Sequence, residues 1–218
     1  MQIINIESFS DPAKDKIKDK IQKGLKLYLS IMGNLPCGNP VTEDFRRDFY
    51  RFYLRSGSRT YGAAMDKRWN PLYDCLTQIG SGSSLRDIVT KLSEALSKNI
   101  DHKRLEFSFA TKLLHTVNPD KPIYDSRVTA YLHKFGNDEI KSGRIDNWKR
   151  RDDDIERRLK CVEDDYARLC RWYNDFLETG ECQKWCAQFD SWCDEWKAES
   201  GKTIKPVKKI DFLIWAWK

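Results

Sequence analysis

Ser108-Phe109-Ala110-Thr111-Lys112-Leu113-Leu114-His115-Thr116-Val117-Asn118-Pro119-Asp120-Lys121-Pro122-Ile123-Tyr124-Asp125-Ser126-Arg127-Val128 is a helix, a turn and the start of a second helix. The first helix covers about 105–117 and ends near Val117, because the residue before a proline is pushed out of the helical region. Pro119-Asp120-Lys121-Pro122 turns the chain. Asp125 then stands at the N-cap of a new amphipathic helix whose Val128, Tyr131, Leu132 and Phe135 point inward. An aspartate there has two possible jobs. Its carboxylate can satisfy the exposed amides of the first turn. The same place also holds an ionised carboxylate at the rim of the fold, ready for chemistry. Lys112 lies thirteen residues earlier. If the two helices pack as a hairpin, an amine and a carboxylate face one cleft; otherwise Lys112 is an ordinary surface lysine. His115, three residues after Lys112, is either part of that cleft or a partly buried helix residue.

Outward from this stretch, helical periodicity continues in both directions. Ser10-Asp11-Pro12 opens a helix carrying Ile17, Ile21, Leu25, Leu29 and Met32, which Gly33-Asn34 and Pro36 stop. Thr42-Glu43-Asp44 opens another, with Phe45, Phe49, Phe52 and Tyr53 as its apolar face. After the loop Gly80-Ser81-Gly82-Ser83, Ser84 and Asp87 form a capping-box pattern ahead of Leu85, Ile88, Val89, Leu92 and Leu96. Residues 136–154 are polar and read as a surface connection. Beyond them Ile155, Leu159, Val162, Tyr166, Leu169, Tyr173 and Phe176 mark a long amphipathic helix. Further helices are expected over roughly 181–199 and from about Pro206. A short strand at Gln2–Ile6 is the one exception to helix, and there is no internal repeat.

The chain has 218 residues, 40% of them hydrophobic and 33% charged, a mix that suits a folded chain and argues against disorder. No apolar run approaches the roughly 20 residues that span a bilayer. Met1-Gln2-Ile3-Ile4-Asn5 lacks the basic-then-apolar pattern of a signal peptide, so an intracellular place is expected. The seven cysteines are odd in number and follow no disulfide framework, so free thiols are expected. Cys182, Cys186 and Cys193 share a helical face with Trp185, Phe189, Trp192 and Trp196, which points to packing rather than a metal. The net charge of +6 is uneven. Residues 1–150 carry 26 Lys+Arg against 18 Asp+Glu, and residues 151–218 carry 13 against 15. A basic first part suits a polyanionic partner.

Pro122-Ile123-Tyr124-Asp125-Ser126-Arg127-Val128 resembles the segment of helix-hairpin-helix DNA glycosylases in which a proline, an apolar residue and the catalytic aspartate open a helix. The Asp-Ser-Arg-Val form is most similar to the archaeal 8-oxoguanine glycosylase branch and its bacterial relatives. Thr111-Lys112 resembles the Thr-Lys of the eukaryotic-type 8-oxoguanine enzymes. Lys208-Lys209-Ile210-Asp211-Phe212-Leu213-Ile214-Trp215 resembles the closing helix of small bacterial members. Asp101-His102-Lys103-Arg104-Leu105 stands where the family carries a Gly-rich hairpin turn. The resemblance therefore implies an all-α, multi-helix, glycosylase-like fold in one domain over 1–218, with two lobes and a degenerate helix-hairpin-helix.

The resemblance also implies a function: excision of a damaged base from duplex DNA, an oxidised purine such as 8-oxoguanine being the expected class. Asp125 would be the catalytic carboxylate. Lys112 would be the Schiff-base nucleophile of a bifunctional glycosylase and lyase, and dispensable in a monofunctional one. Arg127, Lys103, Arg104 and Lys121 would meet DNA, with His115 a candidate for the base pocket. No cofactor or metal is expected, and there is no iron–sulfur spacing of the endonuclease III type. The expected state is a cytoplasmic monomer, associated with the nucleoid in a prokaryote. The alternative is a helical nucleic-acid-binding module that keeps the fold without catalysis.

Overall fold

A computed structural model describes residues 11–36, 40–54, 69–97, 105–135 and 154–216. Among them the regular structure is all helical and no strand occurs. Ten α-helices follow one another: α1 (Asp11–Gly33), α2 (Glu43–Phe49), α3 (Asn70–Gln78), α4 (Leu85–Ser97), α5 (Phe107–Val117), α6 (Ser126–Phe135), α7 (Ile155–Leu177), α8 (Gly180–Glu195), α9 (Glu199–Lys202) and α10 (Pro206–Ala216). A π-helical turn, Tyr50–Leu54, continues α2. The helices form two units. One comprises the described residues up to Gln22 and those from Pro119 onward; the other is Lys23–Asn118. The polar connection expected near 136–154 lies, apart from Asp154, outside the described residues, as does the strand expected at Gln2–Ile6.

In the Lys23–Asn118 unit, Thr42 caps α2 by accepting the Phe45 amide at 3.2 Å. The π-turn brings Tyr53 against both Phe49 and Phe52, and all three bury their rings. Asp48 is also buried, where it accepts the Ser30 hydroxyl at 2.6 Å and the Arg47 guanidinium at 3.1 Å. Helix α3 lies outside the expected helices; its buried Leu72, Tyr73, Cys75 and Leu76 stand at i, i+1, i+3 and i+4, one short helical face. Ser84 caps α4 through the Asp87 amide at 3.1 Å, and Leu85, Ile88, Val89 and Leu92 are buried. Helix α5 is buried nearly all round. It is the central helix pattern of its unit rather than a surface one.

In the other unit, Asp154 caps α7 through the amides of Glu156 and Arg157. Leu159, Val162, Tyr166, Leu169, Tyr173 and Phe176 are buried as the periodicity predicts, while Ile155, in the first turn, stays 40% exposed. Thr179 caps α8. The helix expected over 181–199 stops earlier and restarts as α9. Lys197 adopts a left-handed φ of 54°. The Ala198 amide then reaches the Cys193 carbonyl at 2.8 Å and the Lys197 amide that of Asp194 at 3.0 Å, the two bonds of a Schellman stop. Helix α10 is buried on almost every side and packs against α8, α6 and α7. Trp185 of α8 donates its indole N–H to the Lys209 carbonyl at 2.8 Å.

Candidate functional site

The segment before α6 is fixed from below by α7. Pro122, Ile123 and Tyr124 are buried, and the Tyr166 hydroxyl donates to the Pro122 carbonyl at 3.0 Å. The chain then surfaces at half-buried Asp125. Its Oδ1 accepts the amides of Arg127 and Val128, both at 2.9 Å, the geometry of an N-cap. Its carbonyl accepts the Thr129 amide at 2.9 Å and the Thr129 hydroxyl at 2.8 Å. Among the described residues no partner bonds the second carboxylate oxygen, Oδ2. The helix thus holds one oxygen and leaves the other available.

Arg127 projects from the first turn of α6 to the end of α10, where it lies over Trp215 and bonds its carbonyl. Lys20 of α1 reaches the Ala216 carbonyl at 3.5 Å. Its amine is pushed below the ordinary lysine value by burial first, then by the positive charges of Lys16 and Arg127. Three cations therefore share one region of this unit, and two of them, Lys16 and Lys20, carry no sequence signal beyond the general basic balance. Lys121 is exposed, and Asp120 beside it pairs with Lys205 at 3.4 Å.

In the same unit, α7 and α10 bury a group of ionisable side chains. Asp211 of α10 is only 6% exposed. Its Oδ1 accepts the Tyr173 hydroxyl of α7 at 2.5 Å, and its Oδ2 lies 3.8 Å from the ammonium of Lys208, itself 3% exposed. Burial pushes the Asp211 carboxyl up to about 6. Lys208 and the Tyr173 bond pull it down, and the charge of Asp125 adds to the upward push. Tyr173 is raised well above the ordinary phenol value by burial, then by Asp211, with Asp125 and Tyr131 contributing. Sequence reading passes over Asp211, Lys208 and Tyr173 as catalytic candidates. The available signal is a Lys/Asp pair at i,i+3 inside an otherwise apolar helix.

Lys112 and His115 belong to the other unit, one turn apart on α5. Lys112 is not a surface lysine: it is 8% exposed, with its ammonium 5.4 Å from the centre of the Phe109 ring. His115 is fully buried, its ring 6.0 Å from that of Tyr28. Thr111 is buried too and donates its hydroxyl to the Ser108 carbonyl at 3.0 Å. Of the segment expected at the hairpin turn, 101–105, residues 101–104, with Lys103 and Arg104, lie outside the described residues, and Leu105 is buried.

Cys182 and Cys193 are buried and Cys186 half-buried on α8, beside Trp185, Phe189 and Trp192. The Cys182 thiol is hydrogen-bonded to Cys186, which raises Cys182 and lowers Cys186. The described cysteines are all free thiols, and no group of three metal-ligating side chains is disposed around a cation among the described residues. Among those residues no helix is long and apolar enough to cross a membrane. No protein-family model, curated protein or solved structure matches the chain.

Proposed function

We propose that this protein is a DNA glycosylase that removes a damaged base, an oxidised purine of the 8-oxoguanine kind being the class its motif resembles, with duplex DNA as the partner. The observation that carries the proposal is the Asp125 carboxylate. One oxygen is pinned by two helix-start amides and the other has no partner among the described residues. Such a base must leave the stack to be reached. As its glycosidic bond breaks, positive charge grows on the sugar, and a fixed carboxylate at that place lowers the barrier. The cations Lys16, Lys20 and Arg127 supply charge of the sign a phosphate backbone needs. In a bifunctional enzyme the Lys112 amine would displace the base at the sugar carbon and the adduct would open to a Schiff base; in a monofunctional one water attacks and Lys112 is dispensable.

The test is a base-excision screen over damaged duplexes with Asp125→Asn and Lys112→Gln. Asp125→Asn should lose base release by orders of magnitude while binding duplex as before. Lys112→Gln should lose borohydride trapping in a bifunctional enzyme and keep excision in a monofunctional one. Full excision by folded Asp125→Asn protein would defeat the assignment.

A second reading, a helical DNA-binding module without catalysis, draws on the same bonds, because a capping aspartate already has a structural job. It expects salt-dependent duplex binding with no excision of any base.

A further inference from the structure

Cys182 and Cys186 stand at i and i+4 on α8, so the two side chains are neighbours on one helix face. Cys182 is buried in the first turn, where the Thr179 hydroxyl accepts its amide at 3.2 Å; Cys186 is half-buried. The two thiols are hydrogen-bonded to each other. We propose that this dithiol is a binding site for one soft monovalent metal cation, of the copper(I) kind, held between the two sulfurs. The site is independent of the glycosylase assignment.

Helix geometry decides what the pair can close on. Cβ atoms at i and i+4 lie about 5–6 Å apart. A disulfide needs about 3.5–4.5 Å between them, so closing one would distort the first turn of α8 and its Thr179 cap. A single ion between the sulfurs asks for a wider gap: two metal–sulfur bonds of about 2.3 Å set the sulfurs roughly 4–5 Å apart, which the helical spacing allows. Zinc would want four ligands. Among the described residues no group of three metal-ligating side chains is disposed around a cation. Cys193 is seven residues past Cys186, about 10 Å along the axis at 1.5 Å per residue, and is out of reach. Two thiolates alone suit a soft ion that accepts linear, two-coordinate geometry, and thiolates select copper(I) among such ions.

The surroundings fit the ion and its charge. As the cation enters, both thiol protons leave to water, and two thiolates with one monovalent ion carry one negative charge. One turn beyond Cys186, Asp190 holds the buried ammonium of Lys209 from α10 at 2.6 Å. The Cys186 thiol is lowered first by the Cys182 hydrogen bond, against burial, and then by Lys209, against Asp190. Trp185 and Phe189 bury their rings on the same helix. Half-buried Cys186 is the side from which an ion enters. Core packing accounts for Cys193, which is fully buried, but does not call for a second thiol at Cys186, where the face is partly open.

Anaerobic titration of the reduced full chain with copper(I), in competition with a chromophoric copper(I) chelator, tests the site. The wild type should take one ion per chain at the pair, and X-ray absorption should show two sulfur neighbours. Cys186→Ser and Cys182→Ala should each weaken binding by about a hundredfold or more, because loss of a ligand exceeds the 10–100-fold cost of a second-shell change. Cys193→Ser should bind as the wild type does. Helical circular dichroism checks that each variant is folded, and Cys186→Ser, at the half-open position, keeps the test sound if Cys182→Ala does not fold. Failure of the wild type to draw copper(I) from the chelator overturns the proposal. So does an affinity unchanged in Cys186→Ser, or stoichiometric zinc held at the same two thiols.

Discussion

The guanidinium of Arg127 lies 4.5 Å from the centre of the Trp215 ring while its Nη1 donates to the Trp215 carbonyl at 3.0 Å. One side chain thereby joins the first turn of α6 to the last turn of α10, as a cation over an aromatic face and as a donor to a helix C-terminal carbonyl. A charged hydrogen bond and a half-exposed cation–π contact together are worth about 1–3 kcal/mol. Arg127→Ala should lower unfolding free energy by that order in urea. Arg127→Lys should recover less than half, because an ammonium cannot stack flat on indole and donate sideways at once. Equal stability of wild type and Arg127→Ala would show that the contact contributes nothing.

Asp125 can be separated into cap and charge. Asn accepts the Arg127 and Val128 amides about as well as Asp, whereas Ala accepts neither. Asp125→Ala should cost about 0.5–2 kcal/mol of stability and Asp125→Asn only a few tenths. Thermal or urea unfolding measures both. A cost for Asn as large as for Ala would mean that the charge, not the cap geometry, stabilises α6.

Lys197 holds a left-handed conformation at the Schellman stop of α8, a place where glycine carries no side-chain clash. Lys197→Gly should stabilise by about 0.5–1 kcal/mol, seen as a higher urea midpoint at unchanged slope. A lower midpoint would show that the Lys197 side chain compensates for its own strain.

Asp211 predicts a pH dependence with a definite sign. Its folded-state value of about 6 lies above the ordinary 3.8, so between those values the folded chain holds a proton that the unfolded chain has lost. The stability this supplies is complete below about pH 4, falls as pH rises through about 6, and is gone above it. At about 1.4 kcal/mol per unit of separation the loss is on the order of 2–3 kcal/mol. Asp211→Asn, neutral throughout, should therefore gain on the wild type between pH 4 and 6 and hold that gain at pH 7. A difference between the two proteins that stays flat across this range would remove the linkage.

How much of this was legible depends on what the side chains do. Periodicity identified the faces of α4 and α7 because each buries one stripe: Leu85, Ile88, Val89 and Leu92 in one, Leu159 through Phe176 in the other. The caps Thr42, Ser84, Asp125 and Asp154 act locally; the first three are legible from the residues that follow them, while Asp154 is hidden at the end of a polar, charged run. Helix α3 is harder to read because its helical spacing, Leu72, Tyr73, Cys75 and Leu76, covers little more than one turn. The stop at Lys197 was missed because its signal, a glycine, is absent. Asp125 was legible as a candidate because it is one residue in one motif. Asp211, Tyr173 and Lys208 were not, because their relation exists only once α7 and α10 pack side by side.

The π-helical turn at Tyr50–Leu54 carries a different kind of information. A π-turn holds one residue more than an α-helix needs for the same advance along its axis. The extra residue is what lets the neighbours Phe52 and Tyr53 both turn inward. Among the described helices, this is where a one-residue deletion does the least harm: it restores ordinary winding and moves one aromatic ring to the surface, whereas the same deletion inside α7 would rotate every later core residue away from its partners.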